Sequence, residues 1–197
     1  MRSIVIDTET TGLPTNGLLE AIYYAGVWPD IVSICWWVFE DQTIVKKENH
    51  LIYPDGWEIP EESIAIHGVT MAKAQAEGEP LADVMAIFRA DLQGVDRVIA
   101  HNLRFDKNVI MNAYKWRLRV DPTTFWPIRA EFCSGERSKG ELKMPSKYPK
   151  PGNLYKMPRL DELYERTFGR PAPSGAHNAE RDVDVLQQIV WARWPKV

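Results

Sequence analysis

The chain has 197 residues, 45% hydrophobic and 26% charged, which suits one sizeable core, is short for two, and excludes large-scale disorder. No apolar run approaches the roughly eighteen residues of a membrane span, and the N-terminus lacks the basic, apolar and small-residue regions of a secretory signal; a single domain over 1–197, cytoplasmic and without a membrane partner, is expected. The formal net charge of −3 gives no overall basic footprint, and two cysteines without Cys-x-x-Cys spacing argue against a disulfide framework or structural zinc.

Ser3-Ile4-Val5-Ile6 predicts a buried strand, broken by Thr11-Gly12-Leu13-Pro14 and followed by turn formers to about Gly17. Asp7 and Glu9 fall at its exit and, two apart on an alternating chain, point to the same side. Ile31–Phe39 and Thr43–Tyr53 predict two strands joined by a hairpin turn at Asp41, an antiparallel pair beside the first. In that pair Cys35 is expected in the core, and of Trp36-Trp37 one ring is expected inside and one partly outside. Ile59-Pro60-Glu61-Glu62, Thr70 and Pro80 open successive helices, the third carrying Val84, Ile87, Phe88 and Leu92 on one face. Val98-Ile99-Ala100 is a short strand, and Phe105 to Arg117 a helix with Asp106 in its first turn, where the helix dipole favours a carboxylate. Arg137 to Arg159 holds seven basic residues against Glu141 alone, a balance of +6, and four prolines. This basic, proline-rich stretch at about 134–158 is expected to be an extended loop with Tyr148 and Tyr155 interleaved, either a solvated surface or a contact surface. Leu160–Phe168 reads as a helix closed by Gly169, and Asn178–Trp191 as the last helix. His177 at its start and Asp182 five positions on are expected to face one site.

Three fragments carry chemistry: Asp7-Thr8-Glu9, Asn102-Leu103-Arg104-Phe105-Asp106 and His177 with Asp182. An Asp-x-Glu occurs by chance in about every second chain of this length, whereas all three fragments together come to on the order of one in a few hundred. Four converging carboxylates repel unless cations bind, so the set implies divalent metal, and oxygen donors favour Mg²⁺ or Mn²⁺ over zinc. Two such cations can polarise a phosphodiester, and a histidine can take the water proton near neutral pH. His67 and His101 read as structural and His50 has no assigned role.

The text Ile4-Val5-Ile6-Asp7-Thr8-Glu9-Thr10-Thr11-Gly12-Leu13, Ile66-His67-Gly68-Val69-Thr70, Ala100-His101-Asn102 with Phe105-Asp106, and Ala176-His177-Asn178-Ala179 with Asp182 resembles the DEDDh exonucleases of the DnaQ-like family, which includes the epsilon subunit of bacterial DNA polymerase III. The resemblance spans residues 4 to about 190. It implies an α/β, ribonuclease H-like fold, a central mixed five-stranded sheet flanked by helices. It further implies that Asp7, Glu9 and Asp182 hold one catalytic metal, that Asp7 bridges to a second supported by Asp106, and that His177 is the general base. Thr10 and Leu13 match positions that meet the terminal nucleotide, and Asn102 and Phe105 match positions that support the site on the substrate side. The implied reaction is metal-dependent removal of nucleoside 5′-monophosphates from a 3′ end.

The implied partner is nucleic acid with a free 3′ end. DNA is favoured over RNA because Thr-Thr-Gly-Leu and Ile-His-Gly-Val-Thr look more like the epsilon branch than the oligoribonuclease and ribonuclease T branches. A non-catalytic end-binding module is the alternative from another class, disfavoured because all five site residues are present. Between Thr10 and the second strand the chain departs from the family with extra residues, Tyr23, Tyr24, Trp28 and Pro29 among them, expected mainly in the core, with base stacking as the alternative. No polymerase-tethering tail is expected after Val197, which leaves a polymerase partner open. Proofreading, repair, trimming and salvage all use such chemistry.

Overall fold

A computed structural model of the chain describes residues 1–126 and 130–197. Its centre is β1 (Arg2–Thr10), which pairs antiparallel with β2 (Ile31–Glu40) and parallel with β4 (Arg97–Ala100). The edge strands β3 (Thr43–Leu51) and β5 (Glu131–Cys133) complete a mixed five-stranded sheet in the order β3-β2-β1-β4-β5. This is the ribonuclease H-like arrangement expected of the chain.

Alternation along the central strands divides the core into two layers. Ile4, Ile6, Ile34, Trp36 and Val38 face α3 (Leu81–Asp91) and α4 (Leu103–Asn112), packing on Val84, Met85, Phe88, Val109 and Ile110. Val5, Cys35, Trp37 and Phe39 face α6 (Leu160–Phe168) and α7 (Ala179–Arg193), packing on Leu163, Tyr164, Val183, Leu186 and Ile189. Both faces of β2 are therefore covered, and Trp36 and Trp37 are both buried. The expectation of one partly exposed ring fails because helices cover each side. Each ring removes roughly 150–250 Å² from water, worth about 4–6 kcal/mol at about 25 cal/mol/Å². β3 carries Lys46, Lys47 and Glu48 at the sheet's margin, as an edge strand exposed to solvent requires. The short helices α1 (Glu61–His67) and α2 (Met71–Glu77) start after Pro60 and Thr70 as their sequence signals predict.

The elements differ from the sequence reading in four places. β1 runs on through Thr10, so Asp7 and Glu9 lie within the strand rather than beyond it, held by pairing with Cys35 and Ser33. The helix expected to reach Arg117 ends as a regular helix at Asn112 and continues as a π turn, Ala113–Arg117. That wider turn carries Trp116, whose Nε1–H donates to Ala21 O at 2.6 Å, and Arg117, which pairs with Asp30. β5 is only three residues long and has no apolar alternation to reveal it. Finally, the expected extended loop contains α5 (Ser134–Leu142) and a ribbon of β6 (Pro145–Lys150) with β7 (Asn153–Tyr155). The prolines begin only at 145, so they leave 134–142 free to coil, and an exposed ribbon tolerates proline because its outward N–H groups need no partner. No helix among the described residues is long and apolar enough to cross a membrane.

Gly135, in the first turn of α5, fits only because it has no side chain. A Cβ there would lie 2.4 Å from His101 O and 2.4 Å from Met157 Sδ. Gly135→Ala is expected to cost about 1–3 kcal/mol of overpacking and to lower Tm by roughly 3–10 °C, readable by thermal unfolding.

Candidate active site

β1 and β4 run parallel, and β1 continues past the level at which β4 ends, so that Asp7 and Glu9 lie beyond the last residue of β4. Asp7 and Glu9 share the face of Val5, toward α7, where Asp182 stands in the first turn. Thr8 takes the opposite face, toward α4. Its N–H and Oγ1–H both donate to Asp106 Oδ1, at 3.0 and 2.9 Å, which fixes that carboxylate in the first turn of α4. Thus the strand supplies two carboxylates and each helical layer supplies one.

His177 precedes α7 rather than starting it. Asn178 is the N-cap, its side chain accepting from Arg181 N–H, and His177 adopts a left-handed backbone with φ 62°. The expected meeting of His177 and Asp182 along a helix face is corrected accordingly: five positions span about 1.4 turns and do not align. What joins them is the His177 N–H, which donates to Asp182 Oδ2 at 3.1 Å. One ligand-capable atom each from Glu9, His177 and Asp182 lie within 4.8 Å of one another.

All nine residues picked from the sequence, Asp7, Glu9, Thr10, Leu13, Asn102, Phe105, Asp106, His177 and Asp182, line one cavity of about 570 Å³. Thr10 is buried, its Oγ1–H donating to Gly12 O at 2.8 Å, while Leu13 stands 83% exposed at the mouth. Phe105 packs edge-on against the buried Trp28, so one aromatic of the 11–30 segment is core. Tyr23 and Tyr24 of the same segment are exposed.

The carboxylates are under electrostatic stress. Burial, then repulsion from Asp106, Asp182 and Glu9, raises the Asp7 carboxyl well above the ordinary range. Burial followed by Asp182 and Asp106 pushes Glu9 up to about 8. Burial raises Asp106 to about 7 against the hydrogen bonds from Thr8. Asp182 is raised by burial although Arg181 and the His177 N–H oppose it. Among the described residues, Arg181 pairs with Asp182 at 2.6 Å, and no lysine or arginine pairs with Asp7, Glu9 or Asp106. Oxygen donors short of positive charge, with one imidazole at the rim, fit a hard divalent cation.

Sequence reasoning misses two supports, Thr8 inside the motif and Arg181, and reads a third, His101, as structural. His101 is clamped: Ser134 Oγ–H donates to its Nδ1 at 2.9 Å and its Nε2–H donates to Pro158 O at 2.8 Å, which ties the 157–161 wall of the cavity to the end of β4. Its structural reading fits this clamp. Arg181, with its side chain 12% exposed, touches Asp182 and Asp161 and donates through Nε to Pro173 O at 3.1 Å, holding the loop that presents His177. A signal existed: a cation in the first turn of a helix opposes the dipole and calls for an acidic partner. Arg181→Met is expected to weaken divalent-cation binding by about 10–100-fold, as loss of a ligand's supporting partner does, seen as a rise in the Mn²⁺ concentration that gives half of the thermal stabilisation.

No protein-family model matches the chain, and no curated protein matches it in sequence. Solved structures do match. A structure of exonuclease I is 21% identical with a TM-score of 0.74, covering 99% of this chain and 42% of that one. E. coli exonuclease I in complex with a dT13 oligonucleotide is 19% identical with a TM-score of 0.73, covering 99% and 42%. The zinc-bound E. coli exonuclease I complex with single-stranded DNA is 20% identical with a TM-score of 0.74, covering 99% and 41%. The chain thus spans about two fifths of the length of these proteins, and the likeness establishes the fold they share.

Proposed function

We propose that the protein is a metal-dependent 3′-to-5′ exonuclease that releases nucleoside 5′-monophosphates from single-stranded DNA. The carrying observation is the convergence of Asp7, Glu9, Asp106 and Asp182 with His177 in one cavity, three of the carboxylates without a cationic partner among the described residues. That its fold neighbours include exonuclease I bound to DNA oligonucleotides supports the choice of substrate.

Asp7, Glu9 and Asp182 would hold one divalent cation, Mg²⁺ or Mn²⁺, and Asp7 with Asp106 a second. When bound, such ions supply Lewis acidity at the scissile phosphate and offset the charge that develops on it. Thr8 keeps Asp106 aimed into the site through two hydrogen bonds. Thr10 and Leu13 receive the terminal nucleotide, Leu13 from its exposed place at the mouth. His177 takes the proton of the attacking water on a ring nitrogen, and its own backbone N–H, bonded to Asp182, keeps the imidazole over the carboxylates. Asn102 lines the substrate side, and Phe105 buttresses it against Trp28.

The test compares wild type with His177→Ala on matched single-stranded DNA and RNA oligomers. The variant is expected to fold normally and to lose about 10²–10⁴-fold in rate, with DNA degraded faster than RNA by wild type. A folded variant with wild-type rate removes His177 from the chemistry, and a requirement for a 2′-hydroxyl at the 3′ end moves the substrate to RNA.

A further inference from the structure

The β6–β7 ribbon contributes no side chain to any of the three hydrophobic clusters, yet it displays Tyr148 at 73% exposure and Leu154 at 56%. On the ribbon these groups are free to meet a partner from outside the fold. Its charge is equally one-sided. Between Glu141 and Asp161 the sequence has no acidic residue. Arg137 is neutralised by Glu141, and Lys156 by Glu162, whereas Lys143, Lys147 and Lys150 make no ion pair among the described residues. Lys147 Nζ sits 5.6 Å from the Tyr148 ring centroid, so a cation and an aromatic face are offered together. The ribbon is also held beside the cavity. Lys156 N–H donates to Met144 O at 2.9 Å, closing its base, and the next residues, Met157, Pro158 and Arg159, are cavity wall pinned by His101.

A strand of phosphates approaching four carboxylates on a chain of net charge −3 meets repulsion, and this ribbon is a positive surface joined to the cavity wall through Lys156 and Met157. We infer that β6–β7 is a second contact surface for single-stranded nucleic acid, carrying the strand upstream of the end held in the cavity, with Lys143, Lys147 and Lys150 on phosphates and Tyr148 stacked on a base. This rests on the nuclease reading above and extends it to how the substrate is held.

Lys147→Ala/Tyr148→Ala/Lys150→Ala removes only exposed groups. Wild type and variant are compared for binding of a fluorescent oligothymidylate of about 20 nucleotides in EDTA, by anisotropy across a salt series. The variant is expected to bind at least about tenfold more weakly, with the slope of log affinity against log salt shallower by about 1.4, or 0.7 per lost phosphate contact. Cleavage of the same oligomer should fall in parallel while cleavage of a thymidine dinucleotide, which reaches only the cavity, stays at the wild-type rate. Unchanged affinity and slope overturn the inference and leave the ribbon to another kind of partner, and an equal loss on the dinucleotide overturns it by making the ribbon a support of the cavity. Should wild type cleave neither substrate, the nuclease reading fails while the binding comparison still decides the ribbon.

Discussion

Asp7→Asn is expected to abolish cleavage and, at the same time, to make the metal-free protein more stable. Asp7 is the carboxylate most hemmed in by the others, with Asp106, Asp182 and Glu9 all acting to raise its pKa after burial itself. An asparagine keeps the shape and removes the charge, so burial no longer strips water from an anion and three neighbours lose a source of repulsion. For a domain of this size each kcal/mol regained appears as about 2–4 °C in Tm. Activity goes the other way. On the proposed reading Asp7 would hold both cations, a role worth several kcal/mol of stabilisation as charge develops, and at about 1.4 kcal/mol per decade its loss is expected to cost about three orders of magnitude or more. Thermal unfolding in EDTA, paired with mononucleotide release, checks both halves. A variant that is inactive and less stable would mean that Asp7 serves the fold rather than the chemistry.

The same stress makes stability depend on pH and cations in a definite direction. Glu9, raised to about 8, and Asp106, raised to about 7, bind protons more tightly in the folded state than in the unfolded chain. From the ordinary carboxylate range up to those values the folded protein therefore carries more protons, and its stability must fall as pH rises, the loss being complete above about 8. Metal-free Tm is expected to drop by about 5 °C or more between roughly pH 5 and pH 8. Mn²⁺ or Mg²⁺ should flatten this slope, because bound cations offset the charge that deprotonation creates, with little gain at the acid end and the largest gain near pH 8. A Tm that is flat with pH and indifferent to either cation would contradict the electrostatic account of the cavity.

What could be read from sequence follows from how local the physics is. The alternation of β1 places Asp7 and Glu9 on one face whatever lies around it, and Asp106 in the first turn of α4 needs only the helix signal. Long-range facts were less accessible. Trp37 is buried because α6 and α7 cover a face that its own strand cannot announce. β5 pairs with β4 across the sheet, packs Phe132 on the distant Trp194, and is too short for a pattern. The left-handed backbone of His177 is uncommon for any residue but glycine and is held by the N-cap at Asn178 and the bond to Asp182. The ribbon was hidden for a different reason: its prolines read as breakers, and two exposed antiparallel strands tolerate them. For Trp37 and β5 the partner that fixes the conformation is distant in the chain, whereas for His177 and the ribbon it is near and only its geometry is hidden.

As proposed, these carboxylates, with divalent cations, remove nucleotides from a 3′ end. The most direct measurement is degradation of a 5′-labelled single-stranded DNA oligomer with Mg²⁺, with Mn²⁺ and with EDTA. A ladder shortening from the 3′ end is expected with either cation, and an intact oligomer with EDTA. An intact oligomer under all three conditions, or a ladder that persists in EDTA, would contradict the proposal.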